Sequence, residues 1–368
     1  MPAPDAVASA PETCFAQSYA EARALFGAAA QALGIEPHAY RHPLLGRDGE
    51  TLAVDVALEG AAGAERLLIV TSGCHGVEGF CGSGVQLALL RSADWHAEVA
   101  AAGVAVLYVH ALNPWGFSWW RRTTQENVDL NRNFVDFSRP LPANPGYAEL
   151  AHALVPAHWP PAPANEQLLA DYTARHGARA FQAAISGGQH DAPEGLFYGG
   201  RNPSWSHQTW RQVLRDHARH CRRLGWIDLH TGLGPAGHGE RIYSGRNDAA
   251  ARARARAWWG EAVTSILDGS STSAVLTGMA FEAVYDECPQ AEYTGLALEF
   301  GTLPLPEVLQ ALRADQWLEN HPDAADAMRR AIKQGTRDAF YTDTSEWKRQ
   351  IVDQGLQVAR QALSGLRN

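Results

Sequence analysis

The sequence predicts an α/β fold, a sandwich of helices around a mixed central sheet, and three observations carry that prediction. Short apolar runs of strand-forming residues end in glycine-containing turns, as in RLLIVTSG (66–73), LGWIDLHTGLG (224–234) and TGLALEFGT (294–302). Longer stretches with helical apolar spacing separate them. The chain has 368 residues, 46% of them hydrophobic, and no internal repeat, which is enough to bury one large core. A single domain is expected over 1–368, with a long insert at about 135–222 and a helical tail from about 304.

Taken in order, a helical stretch near 15–33 leads to strands near 51–58 and 66–72. Gly73, Gly76 and Gly79 then allow a tight turn and a close approach to a ligand, ahead of a helix at 80–92. VAVLYVHALNP (104–114) is the next strand, ending in His110, read as structural, and Asn113. Trp115, Phe117, Trp119 and Trp120 are expected mainly to anchor a loop, with one Trp open to substrate. Residues 135–165 are rich in proline and read as a loop. Helices at 166–185 and 204–222 bracket a Gly-rich loop that can reach the site, where His190 and Arg201 either contact substrate or are solvated. After the strand at 224–234 come GERIYSG, a helix near 247–268, a connection near 270–292 and the strand at 294–302. Beyond Pro304 and Pro306 the tail shows helical spacing, and it is expected either to pack on the sheet or to support a homo-oligomer.

The chemistry-bearing residues sit where these strands end. His75 and Glu78 form an H-x-x-E pair after the apolar run at 66–73, and His230 follows Trp226, Ile227 and Leu229. Imidazole nitrogens and carboxylate oxygens bind zinc at about 2.0–2.2 Å, and a catalytic site needs three such ligands with one position left open. Asp228 shares a strand face with His230 and is placed to orient a ligand or a nearby backbone group. Glu299 interrupts an apolar strand, where a carboxylate is costly unless paired or used, so it reads either as a general base or as a salt-bridged core residue. Arg122, Asn131 and Arg132 suit an oxyanion or a substrate carboxylate, because guanidinium binds carboxylate through two parallel hydrogen bonds. Cys74 beside His75 reads as a packing residue, since neighbours on a strand end face opposite ways.

Four strings, HGVE, DLNRNF, DLH and ALEFGT, resemble in that order the motifs of the zinc carboxypeptidase superfamily, which includes the aspartoacylase and succinylglutamate desuccinylase branch. The resemblance spans roughly residues 40–310, and Arg122 stands nine positions before Asn131, as the oxyanion-binding arginine does in some members. It implies a three-layer α/β/α sandwich and one zinc ion per chain on His75, Glu78 and His230. It further implies Glu299 as general base and acid, Arg122 as oxyanion partner with Arg121 as competitor, and Asn131 with Arg132 as carboxylate clamp. Family members also use a mobile tyrosine, for which Tyr243, Tyr285 and Tyr293 are open choices. The implied activity is zinc-dependent hydrolysis of an amide beside a substrate carboxylate, as a carboxypeptidase-like metallopeptidase on short peptides. The alternatives are an amidohydrolase of N-acyl amino acids and a catalytically silent carboxylate-binding protein.

Composition narrows the partners. A net charge of −9, from 31 basic and 40 acidic residues, disfavours nucleic acid, and the arginines of ARARARAWW spread around a helix. No run of about 18 apolar residues suggests a membrane span, and the N-terminus does not read as a secretory signal. Five cysteines without a C-x-x-C pair suit a reducing compartment, so a cytoplasmic location is expected.

Overall fold

The computed structural model describes residues 10–368. Seven strands form one sheet: β1 (His38–Leu45), β2 (Thr51–Glu59), β3 (Arg66–Thr71), β4 (Ala105–His110), β5 (Arg223–Ala236), β6 (Gly239–Tyr243) and β7 (Glu292–Gly301). Their spatial order is β1-β2-β4-β3-β5-β7-β6. The inner four, β4, β3, β5 and β7, are parallel, while β1, β2 and β6 run antiparallel to their neighbours. Parallel strands must be covered on both faces, which is why they read as continuous apolar runs. Side-chain alternation on β3 divides two cores, with Leu68 and Val70 in one and Leu67 and Ile69 in the other.

Thirteen α-helices accompany the sheet among the described residues: α1 (Tyr19–Ala32), α2 (Gly79–Leu90), α3 (Ala93–Ala102), α4 (Pro114–Ser118), α5 (Pro145–Leu154), α6 (Pro163–His176), α7 (Ala178–Ser186), α8 (Trp205–His217), α9 (Ala249–Trp259), α10 (Glu282–Glu287), α11 (Leu305–Glu319), α12 (Asp326–Phe340) and α13 (Ser345–Arg367). Phe26 of α1, Phe80 and Val85 of α2, Trp259 of α9, and Ile351 and Leu363 of α13 fill the first core. Trp210 and Leu214 of α8 and Val284 of α10 fill the second. The result is a three-layer α/β/α sandwich, in which the tail's last helix packs on the sheet.

A third cluster positions the site. Tyr147, Leu150, Leu169, Ile185, Val308, Leu312 and Phe340, from α5, α6, α7, α11 and α12, pack with Val77 of the turn after β3. Thr231 Oγ1 donates to the Phe340 carbonyl at 2.8 Å, and Thr302 Oγ1 to that of Ala339 at 2.7 Å. This helical canopy therefore covers the C-terminal ends of β3, β5 and β7, the edge where open α/β sheets bind ligands.

Several boundaries differ from the sequence reading. Strand β1 and helix α3 were not expected; α3 starts where Ser92 Oγ accepts from Trp95 N at 3.2 Å. The proline-rich segment contains α5, since Pro145 occupies the first turn of a helix that Asn144 caps. The stretch at 166–185 is two helices broken at Gly177 (φ +87°), and that at 247–268 stops before Gly260 (φ +92°). No helix among the described residues is long and apolar enough to cross a membrane.

Candidate metal centre

Two neighbouring strands, β3 and β5, bring His75, Glu78 and His230 together. β3 runs parallel to β5, so the turn after Thr71 and the end of β5 lie side by side. His75 Nδ1 is 2.9 Å from Glu78 Oε1, His230 Nδ1 is 3.0 Å from Glu78 Oε2, and the two Nδ1 atoms are 3.3 Å apart. Two ligands about 2.05 Å from a tetrahedral zinc stand about 3.3 Å from each other, so this donor set fits the ion. All three side chains are buried, and their donor atoms fall within 4.8 Å of one another.

Surrounding carboxylates aim the imidazoles. His230 Nε2 lies 2.7 Å from Asp228 Oδ2, and Asp228 Oδ1 in turn accepts from Thr71 Oγ1 at 2.5 Å. An Nε2–H directed at Asp228 leaves Nδ1 as a lone-pair donor. His75 Nε2 lies 3.3 Å from Oδ1 of the fully buried Asp129. Arg122 Nη2 approaches the same nitrogen at 2.8 Å, a contact that suits the opposite tautomer, so His75 is less firmly set than His230. Burial by itself would raise the Glu78 carboxyl, but the charges of His75, His230 and Arg122 outweigh it and hold it well below the usual carboxylate range. Burial likewise opposes charge on His230, yet Asp228 and Glu78 prevail and raise its pKa.

The arginine pair divides cleanly. Arg121 turns away into a buried ion pair with Asp315 (2.9 Å) and a hydrogen bond to Gln316 Oε1 (3.1 Å), while its carbonyl accepts from Val77 N at 2.8 Å. Arg122 turns inward, with Nη1 on Glu78 Oε1 and Nε on Asp129 Oδ2, both at 2.9 Å. Arg122 also lines the cavity and keeps N–H groups on Nη1 and Nη2 beyond those these bonds use. Asn131 Oδ1 accepts from Ala280 N at 2.8 Å, which leaves its amide N–H groups for other partners. Arg132 is held by the Ser186 carbonyl, at 2.9 Å from Nε and 2.6 Å from Nη2, and by the Asn131 carbonyl at 2.9 Å from Nη1.

Glu299 completes the group. It sits at the end of β7, opposite His230 in register, and its Oε1 accepts from Leu233 N at 3.0 Å. Burial, with the charge of Glu78 added, raises its pKa to about 7. His75, His230, Arg122, Asn131, Arg132 and Glu299 all line one cavity of about 450 Å³ between the sheet edge and the canopy. Most of its remaining lining is apolar, from Phe181 and Ile185 to Leu309 and Phe340.

Other candidates fall elsewhere. None of Tyr243, Tyr285 and Tyr293 lines the cavity; the Tyr243 and Tyr293 hydroxyls donate to the carbonyls of Arg246 and Ser244, and the Tyr285 hydroxyl accepts from Arg246 N. His190 is buried against the Gly200 carbonyl at 2.6 Å, and Arg201 is exposed beside Asp191. The Gly-rich loop does reach the site, through Phe197 in the cavity lining, while Ser186, which holds Arg132, ends α7. Trp115, Phe117, Trp119 and Trp120 are anchors, since none lines the cavity. His110 is buried, contacts Ser83 Oγ at 3.0 Å and stands apart from the ligand set. Cys74 is buried near Asp228 and His230, and burial pushes its thiol well up, against a nucleophilic role. The sequence reading passed over Asp129, although an aspartate within the apolar run VDL was the available signal.

A family model described as a protein of unknown function (DUF2817) matches residues 15–354. No curated protein matches the chain in sequence. Among solved structures, the chain is similar to carboxypeptidase A from Helicoverpa armigera at 12% identity and a TM-score of 0.46, covering 86% of this chain and 74% of that one. It is also similar to thrombin-activatable fibrinolysis inhibitor, at 12% identity and 0.47, covering 88% and 74%. For the bovine form in complex with tick carboxypeptidase inhibitor the values are 11% and 0.43, covering 93% and 97%. Scores of that size transfer neither protein's activity to this chain.

Proposed function

The chain belongs to the DUF2817 family, and we propose that it is a metal-dependent hydrolase cleaving an amide bond beside a substrate carboxylate, in short peptides or N-acyl amino acids. The observation that carries this reading is the convergence of His75 Nδ1, His230 Nδ1 and Glu78 at 2.9–3.3 Å in a cavity that also holds Glu299 and Arg122. The resemblance of HGVE, DLNRNF, DLH and ALEFGT to zinc carboxypeptidase motifs agrees with it.

His75, Glu78 and His230 would hold one zinc ion, which supplies a Lewis acid and lowers the pKa of water at the site. Glu299, with a pKa near 7, is suited to accept the proton of an attacking water and return it to the leaving nitrogen. The water oxygen bonds to the carbonyl carbon, the C–N bond breaks, and a carboxylic acid and an amine result. The free N–H groups of Arg122 steady the negative oxygen that develops. The amide of Asn131 and the remaining N–H groups of Arg132 orient the substrate carboxylate, converting binding into alignment. A cavity of about 450 Å³ under a canopy suits small substrates rather than folded proteins.

Elemental analysis of wild type and His75→Ala, with hydrolysis of dipeptides and N-acyl amino acids by wild type and Glu299→Gln, tests the proposal. The expected result is about one zinc per chain, lost in His75→Ala, with turnover lost in Glu299→Gln while zinc is retained. Absence of stoichiometric metal after reconstitution would overturn it.

A further inference from the structure

The cavity lining has two apolar regions, one around β6 and β7 and one on α11 and α12. Ala297 precedes Glu299 by two residues on the same strand face and pairs in register with Ile242. Both line the cavity with Met279, whose neighbour Ala280 donates its N–H to Asn131 Oδ1. This first region therefore adjoins the residues proposed to hold the carboxylate. Past Glu299 and Gly301 the chain enters α11, which contributes Leu305, Pro306, Val308, Leu309 and Leu312 to the lining, and α12 adds Phe340. The Phe340 carbonyl accepts from Thr231, next to His230, and a Cβ on Gly232 would stand 3.0 Å from the Phe340 ring. This second region thus flanks the turn whose Leu233 N–H holds Glu299.

We infer that the substrate's acyl group, on the side of the scissile bond away from its carboxylate, is a bulky alkyl or aryl group seated against α11 and Phe340. The inference rests on the amide-hydrolase reading and adds to it the class of acyl group. The six side chains of this wall carry no hydrogen-bonding atom; Arg179 and Gln182, which also line the cavity, belong to α7 and donate to the carbonyls of Gly269 and Thr272, and the free N–H groups of Arg122 are taken by the developing oxyanion. An acidic acyl group such as succinyl would set its charge against this apolar wall, which is costly. A longer peptide would leave its next N–H and C=O unpaired against the same wall. An alkyl chain loses nothing there and gains from each methylene withdrawn from water.

The test compares kcat/KM of the zinc-loaded protein for N-acetyl-, N-hexanoyl- and N-succinyl-L-leucine. Hexanoyl is expected to exceed acetyl by roughly tenfold to a hundredfold, and succinyl to equal acetyl or fall below it. Leu309, partly exposed on the wall, tolerates a charge in the fold better than the buried Leu312. Leu309→Asp should bring the hexanoyl-to-acetyl ratio near one, and Leu309→Ala should lower it a few-fold if the aspartate variant does not fold. A flat or inverted series overturns the inference. If no amide is hydrolysed by protein carrying zinc, the functional proposal fails, and calorimetric binding of the same compounds to Glu299→Gln reads the wall by itself. Hexanoyl-L-leucine binding about tenfold tighter than acetyl-L-leucine, with the difference erased by Leu309→Asp, sustains the inference, and equal affinities sink it.

Discussion

Replacing Gly76 by alanine perturbs the turn that carries two of the three proposed ligands, and the structure sets the size of the effect. A Cβ at position 76 would lie 2.1 Å from the carbonyl carbon of Gly116, 2.3 Å from Phe117 N and 2.4 Å from Gly116 Cα. All three atoms are backbone of α4, so no side chain can rotate aside. Reaching ordinary carbon contact near 3.5 Å requires the turn and α4 to separate by about 1.4 Å. The turn is also tied by Gly76 N to the Arg122 carbonyl (3.1 Å) and by Val77 N to that of Arg121 (2.8 Å), so the shift moves His75, Glu78 and Arg122 together. Metal geometry tolerates only about 0.2 Å. Overpacking against backbone falls at the upper end of its usual range, about 3 kcal/mol. For a chain of 368 residues that corresponds to a fall in Tm of about 4 °C. Thermal unfolding of the metal-free protein gives the first quantity, and competition with a chromogenic chelator gives zinc affinity, expected to drop at least tenfold. Gly27→Ala, in α1 with nothing within 4 Å of the new Cβ, is the control and should stabilise by about 1 kcal/mol. Wild-type Tm and zinc affinity in Gly76→Ala would refute the close-packing argument.

Three further outcomes are expected. Catalysis needs Glu299 ionised, and burial raises its pKa to about 7 in the metal-free site, so the rate of the zinc-loaded protein should fall as pH drops from neutrality toward the ordinary carboxylate range. An ion at the site offsets the charge of Glu78 and moves the midpoint lower; a pH-independent kcat between 5 and 8 would count against Glu299 as base. Asp228→Asn removes the carboxylate facing His230 Nε2 and should weaken zinc binding roughly 10- to 100-fold, read by the same chelator competition. Asp315 is buried, and although burial raises its pKa, Lys333 and Arg121 outweigh that and lower it. Its stabilisation is therefore complete above the unfolded value near 4 and is lost as pH falls through the lower folded value. Asp315→Asn should cost about 3 kcal/mol at neutral pH in denaturant titration, and its deficit should shrink in acid.

How much of this was legible in the sequence depends on the range of the interaction. HGVE, DLH and ALEFGT are local: an apolar run, a turn and a polar residue at its end place His75, Glu78, His230 and Glu299 at strand ends whatever the rest of the chain does. Side-chain period and apolar content likewise determined an α/β sandwich. The proline at 145 misled, because a loop residue and a helix N1 residue share the same φ, and only the Asn144 cap distinguishes them. Gly76 was read as freedom to approach a ligand, whereas the structure uses it for contact with α4, about 40 residues away in the chain. The spacing to Asn131 favoured Arg122 over its neighbour Arg121, and the positions of Asp315 on α11 and Asp129 beside His75 give the physical reason that Arg122 faces the cavity. The substrate wall is the clearest case. Leu309, Leu312 and Phe340 belong to segments with ordinary helical spacing, and nothing local marks them as lining a cavity. The sequence by itself determined the donor atoms and the strands that bear them, because those follow from near-neighbour periodicity. The tertiary structure supplied the ion pairs that turn Arg122 inward and alone decided what covers the site, because both depend on residues that meet only when the canopy closes over the sheet edge.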